Sequence, residues 1–200
     1  MRRFILGWKT LGYERRLRAY IVNDADDFVI CCRGTGMQAL AAMRERMHRL
    51  RLTVNEHKTR ECRVWDESFE FLGYTIGRCY SPQTGRSYIG TTPSKKTIAR
   101  ICGEISELTQ PRWGFIATEE QVGRINHTLA GWSHYFRLGP VSKAYRAVDR
   151  HTAARLRRWL RKKHTVQGRG TTRYPDRYLY QKRNLVRLDV RRRNFPWATA

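Results

Sequence analysis

Acid is scarce in this sequence. Seventeen Asp and Glu stand against 40 Lys and Arg in 200 residues, a formal net charge of +23. That imbalance predicts a polyanionic partner, and nucleic acid first of all, because each neutralised phosphate releases counterions and adds affinity. Cysteine occurs in no useful arrangement. Cys31, Cys32, Cys62, Cys79 and Cys102 form no CxxC pair, leave an odd count, and have no histidine at zinc spacing. A disulfide framework and a structural zinc are thereby argued against, and a reduced, cytoplasmic chain is expected. No apolar run approaches the roughly 20 residues of a membrane span, and the run in RRFILGW is too short for a signal segment. Apolar residues themselves are plentiful, 40% of the chain with 12% aromatic, which excludes a disordered polyelectrolyte. The length suits one domain or two small ones with a real core.

The charge is uneven. From Arg137 onward there are 19 Lys and Arg against three acids, Asp149, Asp176 and Asp189, whereas the preceding part has 21 against 14. A mixed-charge front and a basic back are expected.

Along the front, IVN and FVICC flank DADD, which signals a β-hairpin. Met37, Leu40, Met43, Met47 and Leu50 recur at helical spacing. LTVNEHKTREC reads as extended chain, and strands follow around turns at Asp66–Ser68 and SPQTGRS. The period changes near Thr92, where Thr92-Pro93 suggests an N-cap and a first helical proline. Ile98, Ile101, Ile105 and Leu108 make one helical stripe. After a break at Pro111 and Gly114, Thr118-Glu119-Glu120-Gln121 has the form of a capping box. It leads Val122, Ile125, Leu129, Trp132 and Phe136. A third helix is expected from Ser142 to Lys163, with Tyr145, Val148, Leu156 and Trp159 inward and Arg146, Arg150, Arg157, Arg158, Arg161 and Lys162 crowding the remaining surface. HTVQGRGTTRYPD reads as a loop. The fold class is therefore α+β: an αβ piece over 1–91, a helical bundle over 92–166, and a basic aromatic tail over 167–200.

Why three aspartates, Asp24, Asp26 and Asp27, should sit between apolar strands of so basic a chain has two answers. Asp is a common turn residue. Paired carboxylates on a hairpin can also hold divalent metal, given a third acid from a neighbouring strand. Taken alone, the trio favours the turn.

It does not stand alone. Ala25-Asp26-Asp27 is followed by Leu50, Leu52, Asn55, Lys58 and Thr59 in an LxLxxNxxKT segment and then by Phe71-Leu72-Gly73-Tyr74. This ordered set resembles the palm of group II intron reverse transcriptases, and GWSHYFRLG, SKAYRAVDRHTAARLRRWLRKKH and YLYQKRNLVRL resemble the thumb, or maturase, domain of the same family. The resemblance implies a partial reverse-transcriptase palm followed by an all-α thumb/maturase bundle. It implies catalytic Asp26, Asp27 and Lys58, with Mg²⁺ on Asp26 and Asp27 and Lys58 near a leaving pyrophosphate. It also implies group II intron RNA as partner, with a DNA target or primer beside it. Asp24 stands where the family has tyrosine, adding a third negative charge in place of an aromatic wall. The palm strand carrying the family's first metal-binding aspartate is not among these residues. RNA-directed DNA polymerase activity is accordingly expected to be lost in this chain alone, while RNA binding and splicing assistance remain.

The RNA-binding candidates are Arg155, Arg157, Arg158, Arg161, Lys162 and Lys163, six cations within nine residues. Guanidinium forks suit phosphates. Tyr174, Tyr178, Tyr180 and Trp197 lie among arginines and could stack on unpaired bases or close the bundle core. Trp132 and Phe136 are expected in the core.

Overall fold

The computed structural model describes residues 1–33, 36–168 and 170–191. Two compact units divide between Leu72 and Gly73. The shift to helical period does fall at the start of a helix near Thr92, but the units part earlier, inside the Phe-Leu-Gly-Tyr segment.

The first unit begins with α1 (Arg2–Thr10) and the single turn α2 (Tyr13–Arg16), which the sequence reading did not anticipate. Phe4 and Trp8, four residues apart, are fully buried from α1, and the Trp8 indole N–H donates to the Ala19 carbonyl at 2.9 Å. That bond ties the helix to the start of β1 (Ala19–Asp24), which pairs antiparallel with β2 (Asp27–Cys32). Then comes α3 (Met37–Arg49). Ala39, Met43 and Met47 are buried, Leu40 and Leu50 pack partly buried against them, and Met37 is exposed, so the expected stripe holds from Leu40 onward. Arg46 of α3 lies across Gly7 of α1, where a Cβ would come within 1.4 Å of its guanidinium. Glycine lets the two helices approach.

LTVNEHKTREC is not extended. It contains a turn in which the Lys58 and Thr59 N–H groups donate to the Asn55 carbonyl. The Asn55 side chain also accepts from the Lys58 N–H, which explains why the segment curls: Asn offers the backbone a local partner. A short β3 (Phe69–Phe71) closes the unit.

The second unit opens with a hairpin of β4 (Tyr74–Tyr80) and β5 (Ser87–Pro93), in register from Tyr74↔Pro93 to Tyr80↔Ser87. Pro93 ends β5. The cap of α4 (Lys95–Leu108) is Ser94, whose hydroxyl accepts the Thr97 N–H at 3.2 Å, so the Thr92-Pro93 expectation lies two residues early. Gly73 sits beneath this cap at φ +77, and its carbonyl accepts from the Ser94 N–H and the Thr97 hydroxyl. A 3₁₀ turn (Pro111–Trp113) leads to α5 (Thr118–Tyr135). The capping box is not formed: Ala117 is the cap, Thr118 is buried, and the Gln121 amide donates to the Leu108 carbonyl at the end of α4. An orphan carbonyl of the neighbouring helix competes successfully for that side chain.

The helix α6 (Ser142–Lys163) has the expected bounds. Val122, Ile125, Leu129 and Trp132 of α5, Phe136 at its C-cap, and Tyr145, Val148, Leu156 and Trp159 of α6 are all buried in one core, as their spacing implies. The tail is a correction. Gly170–Arg173 forms the turn α7, Tyr178–Lys182 a π-helical turn, and Leu188–Arg191 the turn α8. Tyr174, Leu179, Leu185 and Leu188 are buried in the bundle core. The mixed αβ unit followed by a helical bundle is the expected α+β architecture.

Candidate nucleic-acid interface

The carboxylate hairpin forms as read. Asp24 and Asp27 are its last cross-strand pair, and Ala25 and Asp26 make the two-residue turn. Ala25 takes a left-handed φ of +49, an uncommon setting for alanine. All three aspartates are exposed. Among the described residues no group of three or more His, Cys, Asp or Glu gathers to hold a metal. Asp26 and Asp27 alone supply too few converging oxygens for a two-metal centre, so these residues do not fit the pair of Mg²⁺ ions that the family resemblance implies. Lys58 is exposed on its turn rather than at a strand end.

The six cations of the α6 terminus divide. Arg155 reaches the end of α4, donating to the Ser106 carbonyl at 2.8 Å and the Thr109 hydroxyl at 3.0 Å. Arg157 donates to the Tyr174 carbonyl at 2.8 Å and pairs with Asp176. Lys163 donates to the Gly114 and Ile116 carbonyls at 2.8 and 2.7 Å and lies over the Trp159 ring. These three fasten the bundle. Arg158 and Lys162 are exposed, and with half-buried Arg161 they line an open concavity of about 640 Å³ bordered by Thr165, Val166 and Gln167.

Their wheel positions separate the two groups. Arg155 has Thr152 and Trp159 one turn away, Arg157 has Ala153 and Leu160, and Lys163 has Trp159 and Leu160, all of them buried. Arg158 has exposed Ala154 and Lys162 instead. Residues three and four apart share a helix face, so cations flanked by core positions turn inward.

The outward face continues the length of α6. Lys143, Arg146, Arg150, Arg158 and Lys162 are all exposed and recur at three, four, eight and four. None of the five has an acidic partner among the described residues. At 1.5 Å per residue the row spans about 28 Å. Asp149, the acid on this helix, is turned away: it is 7% exposed and accepts the Leu188 and Asp189 N–H groups at 3.0 and 3.2 Å. Burial pushes its carboxyl above the ordinary aspartate value, partly offset by those two hydrogen bonds. A cationic face with its acid removed to the interior is suited to a phosphate backbone.

Residues 98–178 match the group II intron, maturase-specific domain. The matched stretch runs from within α4 to the first residue of the π-helical turn and contains all of α5 and α6. It fits a protein derived from the reverse transcriptase/maturase superfamily. No curated protein matches the chain.

The tail tyrosines do not serve as free stacking platforms. Tyr174 is 5% exposed, and Tyr178 and Tyr180 pack partly buried against the core. Both Nε and Nη2 of Arg183 donate to the Tyr178 hydroxyl, and its other nitrogen pairs with Glu119 of α5. Trp197 lies outside the described residues. Trp132 and Phe136 are core, as expected. No helix among the described residues is long and apolar enough to cross a membrane.

Proposed function

We propose that the chain binds group II intron RNA along the outward face of α6 and assists the folding of that RNA toward splicing. The observation that carries this is the row Lys143, Arg146, Arg150, Arg158 and Lys162, exposed and without acidic partners among the described residues, on a helix that lies wholly within the stretch matching a maturase-specific domain. Structured RNA is recognised largely through shape and backbone, which exposed cations spread along one helix can meet without base contacts. Competition tests it: bound intron RNA should resist displacement by bulk duplex DNA. Equal competition by both would reduce the protein to a general polyanion binder.

Asp26, Asp27 and Lys58 are the residues we assign to polymerase chemistry in a second reading, in which further metal ligands come from a segment beyond those described. The hairpin tip with its adjacent exposed carboxylates favours keeping it. Primer extension on an RNA template decides: incorporation abolished by Asp26→Ala or Asp27→Ala supports an RNA-directed DNA polymerase, and no incorporation leaves RNA binding as the activity.

A further inference from the structure

In the first unit Arg44 pairs with Glu56 and Arg49 with Glu45. Arg2, Arg3 and Arg51 differ from them. All three are exposed and have no acidic partner among the described residues. Together they line one open concavity of about 430 Å³, with Met1, Leu50 and Leu52 between them and Arg49 as a fourth arginine of the wall. Among the described residues that line it there is no Asp or Glu.

The three arginines come from two elements that the core of this unit holds in place. Arg2 and Arg3 open α1, directly before the fully buried Phe4. Arg51 follows Leu50, the C-cap of α3. Its N–H donates to the His48 carbonyl and the Leu52 N–H to the Met47 carbonyl, both at 2.9 Å. That pair of bonds ends a helix on a left-handed residue, most often glycine. Arg51 takes the position at φ +54, where a Cβ is disfavoured. Stability alone would favour glycine there. Gathering like charges around one concavity is also unfavourable until an anion enters it.

Resting on the RNA-binding reading above, we infer that this concavity is a second phosphate site, through which the first unit also holds the backbone of the bound RNA. Each guanidinium of Arg2, Arg3 and Arg51 offers a fork of N–H donors that matches phosphate oxygens. Charge complementarity selects the occupant: the second unit presents its own unpaired cations, and a phosphodiester chain supplies the group that both can bind. The chain then has a phosphate contact in each unit. On one folded RNA the two contacts add avidity that neither has alone.

The test titrates a fluorescein-labelled RNA stem-loop with the full chain, at several salt concentrations, for wild type, Arg51→Gly and Arg2→Gln/Arg3→Gln. Arg51→Gly should melt no lower than wild type, since glycine suits the left-handed position, so weaker binding by it cannot be laid to misfolding. Expected for both variants is a loss of at least about threefold in RNA affinity, with the slope of log K against log salt smaller by roughly 0.7–0.9 for each cation removed. Arg15→Gln removes an exposed arginine that does not line the concavity and should change neither. An equal loss in Arg15→Gln would mean diffuse charge and overturn the inference. Inorganic tripolyphosphate separates the sources of phosphate: if it raises the melting temperature of wild type but not of the two variants, while their RNA affinity is unchanged, the occupant is a small anion and the inference is overturned. If Arg158→Gln/Lys162→Gln weakens RNA binding while Arg51→Gly and Arg2→Gln/Arg3→Gln keep wild-type affinity and slope, the second site alone fails. If wild type binds no RNA, the RNA-binding reading fails with it.

Discussion

Arg155 donates to the Ser106 carbonyl across the gap between α6 and α4 at 2.8 Å, while Arg158, three residues on, faces water. Two arginines of one cluster thus have opposite duties. Arg155 satisfies the Ser106 carbonyl, whose other partner is the Thr109 hydroxyl at a longer 3.3 Å. Removing it should destabilise the bundle by about 1–3 kcal/mol while leaving the salt dependence of RNA binding as it was. Urea denaturation of Arg155→Ala followed by a salt titration of RNA affinity checks both halves.

Lys163 should behave as Arg155 does in stability. Lys163→Met frees the Gly114 and Ile116 carbonyls and with them the segment bearing Phe115. Thermal unfolding should move down by a few degrees, as expected for a loss of about 1 kcal/mol in a domain of this size.

Asp149 gives a pH dependence. Its carboxyl titrates above the ordinary value of 3.8 because it is buried. The folded state therefore holds this proton more tightly than the unfolded chain does. The resulting stabilisation is complete below pH 3.8 and is lost as pH rises through the raised folded value. Relative to Asp149→Asn, wild type should lose stability with rising pH across that window. Difference melts at successive pH values read it, and parallel curves would contradict it. Asp149→Ala should also release the Leu188 and Asp189 N–H groups, at a cost of about 1–3 kcal/mol.

Gly73 is predicted to resist substitution. Its φ is +77, and a Cβ would stand 3.0 Å from the Phe136 ring and the Thr97 hydroxyl. Gly73→Ala should cost about 1–3 kcal/mol through backbone strain and displaced packing. Gly73 and Tyr74 are in this respect packing residues: the Tyr74 ring lies tilted against Phe136, 5.1 Å between centroids, and its hydroxyl donates to the Tyr135 carbonyl at 2.7 Å.

The long helices were legible because their apolar residues recur over four or five turns, as with Val122 through Phe136, and only one face of such a helix can be buried. The hairpin was legible from two β-rich runs about a turn. α1 was not, because nine residues carrying Gly7, Lys9 and exposed Leu6 give too short a stripe to separate from chance. Thr118 was misassigned because a capping box requires a free Gln121, and Gln121 is taken by Leu108 of another helix. The roles of Arg155, Arg157 and Lys163 were partly legible in hindsight, since each has core residues one turn away. Their carbonyl partners come from distant segments, so composition alone showed only charge.

The most direct measurement is the salt dependence of RNA binding for wild type against Arg150→Gln/Arg158→Gln/Lys162→Gln, with Arg155→Gln as the control. If the outward face of α6 carries the phosphates, the slope of log K against log salt should shrink by roughly 0.7–0.9 for each cation removed, with the control unchanged. A triple variant with the wild-type slope would contradict it and move the RNA to another surface.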